Sequence, residues 1–357
     1  MIESRRTVQK YFAAANGYSG FRSYFEKIFV PQEFSAIFIL KGGPGTGKSS
    51  FMRKISGTLL SEGYGVEEIY CSSDPHSLDG VIAFCGEQKI AVLDGTAPHE
   101  EDAKIPGAIG SIINLGDNWD EEWLKGYREE ILSLSKAKSN AYSKAYFYLS
   151  LCGAVRGEIL RTEKPLYDEK KLKNISKNLA ESVCKGGSGK ETTRLISSFG
   201  RFGEYRISTL EELSEKRFSP VGTATQREMF MSMLYQALSD MSADMTVCPS
   251  PFDKEIIEAI YLPRESVYIS LGSGGEAIDL PCCDTEDFAL CEEGLRVGEI
   301  IFRDAITESE RWFSIASDLH FRLEEIYKRA MNFDKNDALN DKLIIKILKI
   351  LGKPQIS

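Results

Sequence analysis

One stretch of eight residues limits what this chain can fold into more than any other feature: Gly42-Gly43-Pro44-Gly45-Thr46-Gly47-Lys48-Ser49. Before it stands Phe34–Leu40, an almost continuous apolar run with β-branched and aromatic residues. Such a run suits a strand buried on both faces, as in a parallel sheet. After it, Phe51, Met52, Ile55 and Leu59 recur at helical spacing, and Gly63 marks a stop. A glycine-rich turn between such a strand and such a helix can point its backbone N–H groups inward, where side chains would obstruct. The helix then offers its N-terminus to the same anion. The spacing Gly42-x-x-x-x-Gly47-Lys48-Ser49 is that of a phosphate-cradling loop. The expected ligands are ATP and Mg²⁺, with Gly42, Gly43, Pro44, Gly45, Thr46, Gly47, Lys48, Ser49 and Ser50 as contacts. Lys48 is expected to reach the β- and γ-phosphates and Ser49 to give its hydroxyl oxygen to magnesium.

Two further strands are expected, Val66–Cys71 and Lys89–Asp94. Strand, loop, helix, strand, strand is the front of an α/β nucleotide-binding domain. Asp94 ends its apolar strand 46 residues after Lys48, where a second magnesium-side group belongs; the plainer reading is a turn at Asp94-Gly95. Many ATPases carry a glutamate immediately after this acid, and here the position is Gly95. To orient a water or a substrate hydroxyl, the candidates are Asp74, His76 and Asp79 in CSSDPHSLDG, and His99, Glu100 and Asp102 in DGTAPHEED. Both segments follow strand ends, where open α/β sheets bind ligands. Helix caps and turns are the competing roles, for Ser77 and Asp79 and for Asp74-Pro75. His76 and His99 lack the further ligands that zinc requires.

From Asp120 to about Arg161 there is no proline, and apolar residues step mostly by three or four. A long helix or helical hairpin is expected, either packing on a sheet or moving as a lid. Arg156 and Arg161 on it are candidate finger arginines or members of a solvated face. Lys185-Gly186-Gly187-Ser188-Gly189-Lys190 reads as a linker. It is not a second phosphate loop, because it follows a helical stretch and Cys184 stands where the first glycine should be. The expected domains are residues 1–184 with a helical extension from about 120, a linker at 185–192, and 193–357.

The part after the linker repeats the first in order. Tyr11–Gly17 parallels Arg194–Gly200, Phe51-Met52 parallels Phe230-Met231, Ile69–Ser73 parallels Thr246–Ser250, and Ile90–Thr96 parallels Val267–Ser273. The offset stays near 177 to 183. The match fails at the chemistry: Gly47 falls on Gln226, Lys48 on Arg227, Ser49 on Glu228 and Asp94 on Leu271. The expected fold is therefore α/β of the P-loop NTPase kind, a tandem duplication of two α/β halves with long helical elements and a degenerate second half.

With GGPGTGKSS, YCSSDPHSLDGV, VLDGTAPH and PGAIGSIINLGDNWDE in place, the sequence resembles a bacterial family of tandem P-loop, nucleotide-kinase-like ATPases within the P-loop containing nucleoside triphosphate hydrolase superfamily. The resemblance covers most of the first half strongly and the second weakly. It implies Gly42 to Ser49 and Asp94 as nucleotide and magnesium contacts. It also draws attention to Cys71, Asp74, His76 and His99 without giving them roles. Such families often keep a phosphate loop in the second half, and this sequence departs from them at Gln226, Arg227 and Glu228.

Composition narrows the function classes. The net charge of −9 gives no strong nucleic-acid signal and argues against anionic lipid as the main partner. No apolar run approaches the roughly 20 residues of a membrane span, and Met1–Arg6 lacks a secretory apolar stretch. A cytoplasmic protein is expected, with its eight cysteines as reduced, buried thiols. Three activities fit: an ATPase coupled to rearrangement, a phosphotransferase on a small molecule, and a nucleotide-dependent binding switch. A protein or small-molecule partner is left unidentified, and no guanine-reading N/T-K-x-D segment occurs.

Overall fold

The computed structural model describes residues 8–98, 100–272, 274–281 and 285–354, the side chains of 285–292 excepted. The first half runs β1 (Gln9–Phe12), β2 (Ala14–Gly17), β3 (Gly20–Ser23), α1 (Phe25–Ile28), β4 (Ala36–Lys41), α2 (Lys48–Ser61), β5 (Gly65–Tyr70), β6 (Leu78–Cys85), β7 (Gln88–Asp94), β8 (Gly110–Asn114), α3 (Glu121–Gly126), α4 (Arg128–Glu163) and α5 (Glu169–Val183). The second runs β9 (Glu191–Thr193), β10 (Ser197–Gly200), β11 (Gly203–Arg206), α6 (Thr209–Leu213), β12 (Lys216–Val221), α7 (Ala224–Asp240), β13 (Met245–Pro249), β14 (Ile257–Leu262), β15 (Val267–Ser270), β16 (Glu276–Asp279), α8 (Thr285–Ala330) and α9 (Phe333–Leu351).

The two six-stranded sheets are built alike. Their orders are β1-β5-β6-β7-β4-β8 and, read in the same direction, β9-β13-β14-β15-β12-β16. In the first, β4 is flanked by parallel β7 and β8, which explains its unbroken apolar run. The sheet is nevertheless mixed, not parallel as the sequence suggests, because β6 lies antiparallel between β5 and β7. The second sheet has the same mixture, with β14 antiparallel between β13 and β15. The architecture is thus α/β, in two sheet-and-helix halves with mixed sheets.

The halves share one core. Tyr11, Phe12, Ile69 and Ile82 pack with Leu195, Ile196, Cys248 and Ala259. The Phe12 and Leu195 backbones exchange hydrogen bonds of 2.9 and 3.4 Å, and Arg194 pairs with Glu67 at 2.9 Å. The helices then cross over. Leu343, Ile344, Ile347 and Leu351 of α9 join Phe51, Met52 and Ile55 of α2 in the core of the first sheet. Reciprocally, Leu172, Ala180 and Cys184, from α5 and its end, join Phe230 and Leu234 of α7 in the core of the second.

The stretch after Asp120 resolves into one short helix and one long one, not a hairpin. The 36 residues of α4 extend about 54 Å at 1.5 Å per residue and pack antiparallel on α8. Leu134 meets Leu323 and Ile326, Ala145 and Leu149 meet Phe313, and Val155 and Ile159 meet Gly298. The expected linker is docked: Asp244 accepts from Ser188 N, Ser188 Oγ and Lys190 N at 2.7–3.0 Å, and Glu191 and Thr192 already belong to β9. The thiols of Cys71, Cys85, Cys152, Cys184 and Cys248 are free; Cys152, Cys184 and Cys248 are buried, while Cys71 and Cys85 are only half-buried. Cys282 and Cys283 lie outside the described residues, as does the Cys291 side chain. Among the described residues no helix is long and apolar enough to cross a membrane.

Candidate functional site

The glycine loop occupies the six residues between β4 and α2, at the C-terminal edge of the first sheet. Its geometry needs glycine. Gly45 has φ +70°, and a Cβ there would collide with the Glu324 carbonyl of α8. Gly47, at φ +85°, is the N-cap of α2, so the free N–H groups of the helix face the loop. Lys48 Nζ donates to the carbonyls of Gly42 and Gly43 at 2.9 and 3.0 Å and lies 3.6 Å from Asp94 Oδ2. Ser49 Oγ accepts from Leu78 N at 2.9 Å. Asp94 stands opposite Leu40 in the β4–β7 pairing, and its Oδ1 accepts from Thr96 N and Thr96 Oγ1 at 2.9 and 2.6 Å. Burial raises the Asp94 carboxyl, Lys48 opposes that shift, and Asp79 adds to it.

Of the sequence candidates, Lys48, Ser49 and Asp94 come together, and Asp79 joins them. Asp79 is buried in β6, where Gly80 stands opposite Leu93 and so brings it beside Asp94. It is a strand residue, not a helix cap. Asp74 accepts from His76 N at 3.1 Å, a turn contact. His76 is exposed, its carbonyl accepts from Arg53, and its ring lies 5.6 Å from that of Phe202. Ser50 is exposed on α2 and Asp102 pairs with Lys41 at 3.0 Å. His99 lies outside the described residues. Gly95 cannot carry a side chain as it stands: a Cβ would collide with Ile39 and sit 2.9 Å from the Glu101 carbonyl.

Sequence reasoning missed the residues the second half brings. Tyr327 of α8 covers Gly43, and Phe333 of α9 covers Gly47. Asn336 Nδ2 donates to Thr46 O at 2.9 Å while its Oδ1 accepts from Asn118 at 2.9 Å. One turn on, Asn340 donates to Phe51 O at 2.8 Å. Beside this contact, Asp117–Asp120 and Arg329–Lys335 line a cleft of about 510 Å³. The two asparagines, buried on an amphipathic helix, were the signal: a buried amide needs partners.

The corresponding place in the second half is built differently. β12 ends at Val221 and α7 begins at Ala224, leaving two residues where the first half has six. Thr223 caps α7, accepting from Gln226 N at 3.3 Å, and an extra helical turn replaces the glycine loop. Arg227 donates to Leu271 O at 2.9 Å, within its own half. Arg156 is no solvated residue: it reaches Glu228 at 2.7 Å and Thr225 Oγ1 at 3.1 Å. Burial raises Glu228, with Arg156 opposing. Arg161 is solvated and pairs with Glu158 at 2.7 Å.

The first site has a donor set that fits a magnesium-bound polyphosphate: a cradle that a Cβ would obstruct, an ammonium at its mouth, a hydroxyl and a half-buried carboxylate. The second has an ion pair in that place. Comparison with protein-family models, curated proteins and solved structures found no match for this chain.

Proposed function

We propose that the chain is a P-loop ATPase formed by tandem duplication, with one competent nucleotide site, in the first half, and one degenerate copy. The observation that carries this reading is the placement of Lys48, held by the Gly42 and Gly43 carbonyls and 3.6 Å from Asp94. The shared strand order of the two sheets supports the duplication, and the two-residue turn at Gly222-Thr223 supports the loss of the second site. In this reading the loop N–H groups and Lys48 bind the β- and γ-phosphates, and Ser49 and Asp94 hold magnesium. Magnesium, when bound, supplies charge neutralisation across those phosphates. The cleft along Asp117–Asp120 offers room for the rest of the nucleotide. A compartment supplied with ATP, such as the cytoplasm, is implied.

A second reading, phosphotransfer to a small molecule, is favoured by Gly95. The position where many ATPases place a base glutamate is packed shut by Ile39 and the Glu101 carbonyl. Asp79 is then the acid beside Asp94 for orienting an acceptor. ATP turnover and ATP binding by wild type and Lys48→Ala, with product analysis on a metabolite pool, test both readings. Wild-type turnover that Lys48→Ala abolishes is expected. An undiminished rate in Lys48→Ala would falsify the assignment. Phosphate moved to a metabolite, with slow hydrolysis alone, selects the second reading, and tight binding without turnover selects a binding switch.

A further inference from the structure

The exchange between halves extends to two hairpins. β2–β3 and β10–β11 have matching registers, closing on the pairs Gly17–Gly20 and Gly200–Gly203. Their two-residue tips are Tyr18-Ser19 and Arg201-Phe202. Each tip lies on the other half. Gly17 packs on the carbonyls of Pro251 and Phe252, just after β13, and Gly200 packs on those of Ser72 and Ser73, just after β5. The tip of the first hairpin, Tyr18, therefore lies towards the filled second site: it stacks on Phe252 with ring centroids 5.5 Å apart and feels the charges of Arg156 and Glu228. The second tip lies towards the glycine loop, because the segment after β5 leads into Leu78, whose N–H is bonded to Ser49 Oγ.

At that second tip the residue is an arginine. Arg201 Nη1 donates to Ser317 Oγ at 2.9 Å, and its Nη2 lies 3.7 Å from exposed Asp318. Its guanidinium lies between the rings of Phe202 and Phe321, 4.8 and 4.9 Å from their centroids. Its Nε is buried and has no hydrogen-bond partner. Ser317 and Phe321 lie on the same helix as Glu324 and Tyr327, which cover Gly45 and Gly43. From Ser317 to Glu324 is about 10 Å along α8. A guanidinium offers five donors in a planar fork, and few of them are used here. The pocket around Arg201 is two aromatic faces, one hydroxyl and one long contact to a solvated carboxylate. Such a setting holds the cation near the loop without neutralising it.

We propose that Arg201 is the second half's contribution to the nucleotide site, turning from α8 to the terminal phosphate of a nucleotide held by Gly42–Ser49. The proposal rests on the nucleotide reading above. It gives the degenerate half a direct part in the chemistry, through Arg201 where the sequence pointed to Arg156 or Arg161. A guanidinium supplied from outside the phosphate loop adds about 10³-fold or more to turnover in sites of this type.

The experiment compares wild type, Arg201→Ala, Arg201→Lys, Ser317→Ala and Lys48→Ala in ATP turnover. The same proteins are compared in affinity for MgADP alone and for MgADP with aluminium fluoride, a mimic of the transferring phosphate. Arg201→Ala is expected to lower turnover by about 10³-fold, to keep MgADP affinity within about twofold, and to lose the added affinity given by aluminium fluoride. Arg201→Lys is expected to recover little, because an ammonium lacks the planar fork. Ser317→Ala removes only the hydrogen bond that holds Arg201 against α8 and is expected to stay within a few-fold of wild type. Turnover and fluoride-dependent affinity unchanged in Arg201→Ala overturn the proposal. An equal loss in Ser317→Ala also overturns it, since Arg201 would then serve the fold. Wild type that binds no nucleotide overturns the nucleotide reading and the proposal with it, an outcome distinct from the other two.

Discussion

Replacing Asn336 by Ala tests whether α9 of the second half supports the glycine loop of the first. The side chain makes two hydrogen bonds of 2.9 Å, to Thr46 O and from Asn118 Nδ2. Asn336 is 6% exposed and Thr46 1% exposed, so water cannot readily replace the lost partner at the loop. Each hydrogen bond contributes about 0.5–1.5 kcal/mol net, and an orphaned buried carbonyl costs about 1–3 kcal/mol. Asn118 is only half-buried and can rehydrate. The expected loss is therefore about 2–4 kcal/mol. Urea unfolding followed by tryptophan fluorescence reads it as a lower midpoint at unchanged slope. Amide exchange at Thr46–Lys48 should rise about 30-fold or more, the equivalent of 2 kcal/mol. Lys342→Ala, on the exposed side of the same helix, should change stability by less than about 0.5 kcal/mol. A shift below 0.5 kcal/mol for Asn336→Ala, with normal loop exchange, would refute the docking of α9 on the loop.

Three further outcomes are expected. Gly95→Glu should not create a faster ATPase: the new Cβ meets Ile39 and the Glu101 carbonyl, and thermal melting should report a loss of about 1–3 kcal/mol from overpacking. Arg156→Met strands Glu228, whose side chain is 18% exposed, and should cost about 2–4 kcal/mol, which Arg156→Met/Glu228→Leu largely restores. Since the Glu228 carboxyl is already raised by burial, loss of Arg156 raises it further. Protonation then relieves the strain, so the single variant should lose stability as pH rises from about 4.5 through that raised pKa, in denaturation at several pH values. On the nucleotide reading, magnesium binding needs ionised Asp94, whose carboxyl burial also raises. Calorimetric affinity for MgATP should therefore fall on acidification at a pH above the ordinary Asp value of about 3.9, and Asp94→Asn should remove that dependence.

Features fixed by neighbours in the chain were legible in the sequence. The β4 run, the glycine loop, α2 and Asp94 at the end of β7 each follow from local pattern, and each stands where the pattern put it. The likeness of the two sheets was partly legible too, since segments matched in the sequence fall on corresponding strands of two sheets with the same order. What failed had a physical reason. β6 begins at Leu78, immediately after a segment dense in Ser, Asp and Pro, so turn chemistry masked a strand and made Asp79 look like a cap. A constant offset set Lys48 on Arg227, but α7 starts at Ala224, a turn earlier than that offset implies. An apolar stripe says that a helix is covered, not by which sheet. Nothing in α5 or α9 announced that each would cross to the other half.

On the duplication reading, that crossing explains why a half without a phosphate loop is kept. Without α9, Ile55 and Leu59 of α2 would lose Leu343, Ile347 and Leu351 as core neighbours, and Thr46 would lose Asn336. Without α8, the glycine loop would lose the cover of Glu324 and Tyr327. The first half is thus incomplete as a folding unit, and its loop is shaped by residues nearly 300 positions away in the chain. The second half likewise draws α5 from the first, through Leu172, Ala180 and Cys184, and has the Arg156–Glu228 pair at 2.7 Å where the first half has its glycine loop. On that reading, selection on the first site alone holds α8, α9 and the Arg201 hairpin in place while leaving Gly222-Thr223 free to shorten. The asymmetry between the two loops, on two sheets of the same strand order, is what that division of labour predicts.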